Sequence, residues 1–106
     1  MIYCFDLDGT LCDNTFGQYQ NAKPYLERIN KLNKLYDNGN HIIIDTARGA
    51  TTGINWYELT KKQLEEWGVK YHDLYVGRKL HYDVIIDDKA INDKNFFIND
   101  EQKQNI

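Results

Sequence analysis

The sequence predicts one α/β domain with a mostly parallel central sheet of about five strands, flanked by helices. Two observations support this fold class. Short apolar runs rich in β-branched residues alternate with segments whose apolar residues recur at helical spacing, which is the order expected of β-α-β units. The 106 residues, with 42% hydrophobic content and a single proline, suffice for one core and leave no room for a second. We therefore expect residues 1–106 to form a single domain.

The first half of the chain contains two predicted strands with a helix between them. Ile2 to Phe5 is β-prone and apolar, and it gives way abruptly to turn-forming residues. From Pro24 to about Asn38 the apolar residues recur at helical spacing, and a glycine follows as a stop signal. His41 to Asp45 is a β-branched run, followed by a loop of small and polar residues from Thr46 through Gly53.

The second half of the chain contains one predicted helix and three predicted strands, and it ends in a polar tail. A helix is predicted from about Asn55 to Trp67, followed by a short third strand at Leu74–Val76. Asp83–Ile86 is predicted as a fourth strand and Asn95–Ile98 as a fifth strand at an edge of the sheet. The polar tail after Asp100 is expected to fray.

Composition restricts the partners and the location of the protein. The 13 basic and 16 acidic residues give a net charge of −3, which weighs against nucleic acid as a partner. The longest apolar runs span three or four residues, so we expect no membrane partner and a cytoplasmic location. Cys4 and Cys12 lack Cys-x-x-Cys spacing and are interpreted as two reduced thiols.

Polar side chains follow three of the predicted strands at the points where the strands end. Because ligands bind outside the carboxyl ends of the strands in an open parallel sheet, these side chains are candidates for one site. They are Asp6, Asp8, Thr46, Arg48, Asp87 and Asp88, with Lys79 in the connection before the fourth strand. Carboxylates gathered at one edge repel one another unless a cation neutralises them, and oxygen ligands suit Mg²⁺. The pattern predicts a magnesium site.

The same residues carry a resemblance to a known family. Asp6-Leu7-Asp8-Gly9-Thr10-Leu11, with Thr46, Lys79 and Asp87-Asp88 in that order, resembles the four motifs of the haloacid dehalogenase superfamily over roughly residues 1–93. The chain is similar to small uncapped phosphatase-like members that read Thr-Ala-Arg-Gly at the second motif, some of which are assigned to capsule or surface-polysaccharide biosynthesis. This resemblance implies a Mg²⁺-dependent phosphomonoester hydrolase that forms an aspartyl-phosphate, acting on a phosphorylated sugar or related small metabolite.

The resemblance also implies a role for each motif residue. Asp6 is the nucleophile. Asp8 protonates the leaving alkoxide and then takes a proton from water, while its backbone carbonyl reaches the metal. Thr46 donates its hydroxyl to a phosphoryl oxygen, and Lys79 balances the negative charge. The implied metal residues are Asp6, Asp8, Asp87 and Asp88, and the positions assigned to phosphate or substrate binding are Leu7, Gly9, Thr10, Ala47 and Arg48.

Several of these residues have a second interpretation that the sequence leaves open. Arg48 either recognises a substrate anion or braces its loop. Asp87-Asp88 is equally able to cap a helix that starts near Lys89, and Lys79 read alone is a solvated surface lysine. The role of Asp45 is undetermined.

The function classes also remain open. One alternative is a nucleotide or polynucleotide-end phosphatase, and another is a phosphate-binding or regulatory module without turnover. Neither slot that holds a cap domain in this superfamily has room for one here, since only six residues separate Val76 from Asp83. An uncapped site is open, and a neighbouring subunit of a homo-oligomer could supply the lid.

Overall fold

The computed structural model describes residues 1–99, and the tail expected to fray lies outside them. The described chain forms a three-stranded sheet, three α-helices and one short 3₁₀ helix. The strands are β1 (Ile2–Phe5), β2 (His41–Thr46) and β3 (Asp73–Val76). The helices are α1 (Leu26–Asp37), α2 (Tyr57–Glu66) and α3 (Asp93–Phe96), and the 3₁₀ turn covers Tyr19–Asn21.

The sheet is parallel throughout, in the order β1-β2-β3, as the alternation of strands and helices predicts. Side chains along β2 alternate between buried and half-buried, because successive residues of a strand point to opposite faces. Ile42 and Ile44 are fully buried and share one core cluster with Leu32 of α1 and Leu64 of α2. Both helices therefore cover the same face of the sheet, while the opposite face stays half-buried.

The predicted fourth strand is wrong: residues 83–86 are irregular and their apolar side chains face solvent. Val84 is 75% exposed, Ile85 54% and Ile86 96%. The segment has the sequence of a strand, but a strand is stable only against a partner. No strand of the described residues pairs with residues 83–86, so the segment lacks that partner.

The predicted fifth strand is also wrong, because part of Asn95–Ile98 lies in a helix. The side chain of Asn92 accepts a hydrogen bond from the backbone N–H of Lys94 at 3.0 Å and so caps α3 at its start. The Phe96 and Phe97 rings then pack on Phe5, with ring centroids 5.8 and 6.3 Å away. The sheet thus has three strands within residues 1–99. The α3 segment, with the C-capping residue Phe97, packs against Phe5 of β1 in place of a further strand.

The segments that could hold a cap domain contain none in the described residues. Between β1 and α1 lie loops and the 3₁₀ turn, and between β3 and α3 the chain is irregular. Among residues 1–99 no helix is long and apolar enough to cross a membrane.

Candidate active site at the carboxyl end of the sheet

The loop after β1 is a compact turn that presents two carboxylates. The backbone N–H groups of Thr10 and Leu11 donate to the Leu7 carbonyl, at 3.0 and 2.8 Å, and Gly9 turns the chain at φ +83°. Leu7 and Leu11 are fully buried and fix the loop to the core. Asp6 and Asp8 lie on either side of the buried Leu7, so the same turn sets the positions of both carboxylates.

Asp6 is the more open carboxylate of the two. Its side chain is 44% exposed, and its Oδ1 atom lies 3.2 Å from Nζ of Lys79. The Thr10 hydroxyl donates to Oδ2 at 3.3 Å. Partial burial alone would lower the pKa of Lys79, but the charge of Asp6 and its hydrogen bond outweigh burial and raise that pKa. The structure therefore brings the predicted nucleophile and the predicted cation together across 73 residues of sequence.

Asp8 is held by Arg48 in a two-pronged ion pair. The Nε and Nη2 atoms of Arg48 donate to the two carboxylate oxygens of Asp8, each at 2.9 Å. The arginine side chain is completely buried and that of Asp8 is 17% exposed. A planar guanidinium bound in this way fixes the plane of the carboxylate as well as its position.

Helix α2 supplies the remaining partners of Arg48. Its Nη1 atom donates to the Thr60 hydroxyl at 3.1 Å and to Oε1 of Gln63 at 2.6 Å. The amide of Gln63 in turn donates to the Tyr19 carbonyl at 2.7 Å, and the Tyr19 ring lies 4.7 Å from the guanidinium carbon. Of the two interpretations of Arg48 left open by the sequence, the contacts favour the bracing one.

Cys12 completes the surroundings of Asp8. Its Sγ atom lies 3.5 Å from Oδ1 of Asp8 and 3.9 Å from Nη2 of Arg48. Burial, and then the neighbouring carboxylate, raise the pKa of the Cys12 thiol to about 12. Both Cys4 and Cys12 are free, as the sequence predicts, and Cys12 is a buried, protonated hydrogen-bond partner at neutral pH.

The end of β2 contributes two further polar side chains. Thr46 is 1% exposed, and its hydroxyl accepts a weak hydrogen bond from the backbone N–H of Arg48 at 3.4 Å. Asp45 lies opposite Tyr75 in the sheet register, and its buried Oδ1 atom has no hydrogen-bond partner in the described residues. Of the remaining candidate binding positions, Ala47 is exposed on the same loop.

The predicted metal ligands are divided by the structure. Asp87 and Asp88 are exposed, and Oδ1 of Asp87 accepts a hydrogen bond from the backbone N–H of Lys89 at 3.1 Å. That hydrogen bond is the main reason why the pKa of Asp87 is lowered. Within residues 1–99 no three His, Cys, Asp or Glu side chains are placed to share a metal ion. Asp87 and Asp88 lie in the irregular segment after β3, because the strand expected to carry them does not form in the described residues.

Three residues that surround Arg48 were not anticipated from the sequence, namely Thr60 and Gln63 of α2 and Tyr19. A signal for the two residues of α2 was present, because both fall on the face that also carries Leu64, and polar residues on an apolar face need partners. No comparable signal existed for Tyr19, which contributes its carbonyl and the face of its ring.

Comparison with known proteins supports the fold and names no activity. No protein-family model matches the chain, and no curated protein matches it. A crystal structure from Vibrio cholerae, described only as an MCSG target, is similar to it with a TM-score of 0.78 and 26% sequence identity. The similarity covers 99% of this chain and 98% of the Vibrio protein, so it extends over the whole α/β unit.

Proposed function

We propose that the protein is a phosphomonoester hydrolase in which Asp6 attacks the phosphorus atom. The observation that carries this proposal is the pairing of a half-exposed carboxylate with a lysine at the carboxyl end of a parallel sheet. The Asp6 carboxylate forms a bond to phosphorus, the bond from phosphorus to the ester oxygen breaks, and an aspartyl-phosphate results. Water then attacks this intermediate, releases phosphate and regenerates the carboxylate.

Lys79 serves the attack by reducing charge repulsion. A phosphomonoester is an anion, and it must approach an anionic nucleophile. The Lys79 ammonium lies 3.2 Å from one Asp6 oxygen and is itself 25% exposed, so a phosphoryl oxygen can also reach it. The raised pKa keeps this side chain charged at neutral pH.

Asp8 is the proposed acid and base. It donates a proton to the departing ester oxygen in the first step, and it takes one from the attacking water in the second, so the proton balance closes over one turnover. Its position two residues from Asp6, on the same turn, supports this role.

Magnesium remains a prediction that depends on residues not gathered in this conformation. Asp87 or Asp88 would have to approach Asp6 to complete a set of oxygen ligands. No step above is assigned to the ion, and comparison of the activity in Mg²⁺ and in EDTA tests the requirement.

The substrate class we propose is a small phosphate ester, such as a sugar phosphate in surface-polysaccharide synthesis, rather than nucleic acid. The absence of a cap in the described residues supports an open site, and a second copy of the chain supplying a lid is part of the proposal. Two free thiols support a cytoplasmic location.

The decisive experiment measures phosphate release from sugar phosphates, nucleotides and phosphorylated oligonucleotides. We expect Asp6→Asn to abolish release, since an amide cannot act as the nucleophile, while Asp37→Asn retains it. Asp37 is an exposed carboxylate that pairs with Lys70 and so matches the change in charge. Covalent phosphate found by mass spectrometry on a residue other than Asp6 would contradict the proposal, and a nucleotide as the best substrate would favour the nucleotide phosphatase.

One observation favours a second candidate, a phosphate-binding module without turnover. Both carboxylate oxygens of Asp8 are engaged by Arg48, which leaves the carboxylate little freedom to exchange protons. The ester panel separates the two candidates: a folded protein that binds inorganic phosphate but releases none from any ester is the module, and release that requires Asp6 is the enzyme.

A further inference from the structure

Arg48 has no N–H group left for a substrate. A guanidinium carries five N–H donors, and in this structure each one has an acceptor. Two donate to the Asp8 carboxylate, one to Sγ of Cys12, and two to the side chains of Thr60 and Gln63. The side chain is also completely buried. A phosphate anion could bind Arg48 only by displacing one of these partners and opening the core.

The saturated guanidinium links Asp8 to a rigid element. Asp8 belongs to a turn, and a carboxylate on a turn is free to rotate about two side-chain bonds. Arg48 removes that freedom by bonding both oxygens, and it is in turn fixed to α2 through two side chains that lie on the buried face of the helix. The orientation of Asp8 is therefore set by contacts outside its own loop.

From this geometry we propose that Arg48 is a positioning residue, which orients Asp8 for proton transfer and does not bind the substrate. The inference rests on the proposed function, because it assumes that Asp8 exchanges protons with the ester oxygen and with water. It goes beyond that function by assigning Arg48, Thr60 and Gln63 to the acid–base step. A proton donor that is misplaced by about 1 Å loses a large part of its effect on the rate.

The leaving group distinguishes a positioning role from a merely structural one. An alkoxide is strongly basic and requires protonation as it departs, whereas 4-nitrophenolate is a weak base and departs without help. General acid catalysis contributes about 10²-fold to 10⁴-fold, so Arg48→Lys is expected to lower kcat/KM for glycerol phosphate, which reports the steps up to departure of the alkoxide, by about 100-fold. A lysine retains the charge but provides one point of contact in place of the planar fork. The value of kcat/KM for 4-nitrophenyl phosphate is expected to fall far less, whereas hydrolysis of the aspartyl-phosphate, which also uses Asp8, slows kcat for both esters alike.

Two further variants keep the test interpretable. Thr60→Val is nearly isosteric, removes one acceptor of Arg48 and is expected to reproduce the preference for the nitrophenyl ester in weaker form, even where Arg48→Lys fails to fold. Arg28→Lys is the matched control, since Arg28 is another buried arginine that binds a carboxylate, that of Asp93 at 2.8 Å. Arg28 also donates to the Thr10 carbonyl of the loop after β1 at 3.0 Å, whereas it is Arg48 that bonds both carboxylate oxygens of Asp8. Loss of such an arginine is expected to lower kcat/KM for both esters by the same factor.

Three results would overturn the inference. Equal losses of kcat/KM on both esters in Arg48→Lys and Thr60→Val would make Arg48 structural. A raised KM with unchanged kcat would make it a substrate ligand. In both of these cases the wild-type enzyme is active, so the proposed function stands and only the role of Arg48 is rejected. A folded wild-type protein that hydrolyses neither of these esters nor any ester of the panel refutes the proposed function, and the inference is rejected with it.

Discussion

The loop that connects the site to α2 permits a stability prediction with an internal control. Gly49 and Gly53 lie in the same turn, at φ +83° and +75°, and the backbone N–H of Gly53 donates to the Gly49 carbonyl at 2.8 Å. A Cβ atom on Gly49 would lie 2.1 Å from the Ile54 carbonyl oxygen and 3.1 Å from the Trp56 ring. A Cβ atom on Gly53 would meet nothing within 4 Å.

The two substitutions to alanine therefore differ in one respect. Each puts an L-residue into the left-handed region, which destabilises by about 1–2 kcal/mol. Gly49→Ala adds the steric conflict with a backbone atom, for which overpacking in cores suggests about 1–3 kcal/mol more. We expect the free energy of unfolding to be lower for Gly49→Ala than for Gly53→Ala by that difference.

Urea denaturation followed by circular dichroism measures the difference. With a urea dependence of about 1–3 kcal/mol per molar for a domain of this size, the midpoint of Gly49→Ala is expected about 1 M below that of Gly53→Ala, with unchanged slopes. Equal midpoints for the two variants would refute the close approach of Gly49 to the Ile54 carbonyl, because both backbones have the same conformational strain.

Three further outcomes are expected. Iodoacetamide at pH 8 should label the exposed Cys4 in the native protein and spare Cys12, whose thiol is buried with a pKa of about 12. Equal labelling of the two cysteines, measured by mass spectrometry, would contradict this expectation. Burial would lower the pKa of Lys79, but the carboxylate of Asp6 raises this pKa above the usual value of 10.5. The stabilising charge of Lys79 is therefore present below pH 10.5 and is lost as the pH rises through the raised pKa. The excess stability of wild type over Lys79→Met should accordingly shrink in denaturation curves taken from pH 9 to about 11.5, and a constant excess would contradict the ion pair. Phe97→Ala should lower the free energy of unfolding by about 3–5 kcal/mol, because Phe97 is 1% exposed. Ile86, at 96% exposure, is the control, and Ile86→Ala should change the free energy of unfolding by no more than about 0.5 kcal/mol. Thermal unfolding of the two variants tests this packing of the carboxyl-terminal segment.

Local sequence patterns are sufficient to predict the positions of the α-helices and strands that the structure contains up to β3. The helical spacing of apolar residues predicts α1 and α2 to within about two residues, and the β-branched runs predict all three observed strands. The errors fall where tertiary contacts decide. Residues 83–86 have the sequence of a strand but no paired neighbour, and the adjacent aromatics Phe96 and Phe97 suggest a strand although a polar cap and packing on Phe5 produce a helix.

The same distinction applies to the site. The sequence brings Asp6 and Lys79 together as a hypothesis, and the structure places them in contact. The sequence does not decide whether Arg48 binds an anion or braces its loop, because the direction in which an arginine points depends on partners distant in the chain. Those partners lie 12 and 15 residues away on α2, and only the packing of that helix against the sheet selects them.

The two carboxylates of the first turn differ chiefly in how their cations are held, and this difference matches the two roles that we propose for Asp6 and Asp8. Lys79 extends from an irregular segment and makes one bond to Asp6, so an incoming phosphate can share or take that bond at little loss. Arg48 is buried and saturated, so the same phosphate has no means of competing for it. Under the proposed mechanism, Asp6 is thereby free to become phosphorylated while Asp8 keeps its orientation. In that mechanism the nucleophile gains from a counter-ion that phosphate can displace, and Asp8 gains a fixed orientation from Arg48; the two carboxylates lie two residues apart at the end of β1.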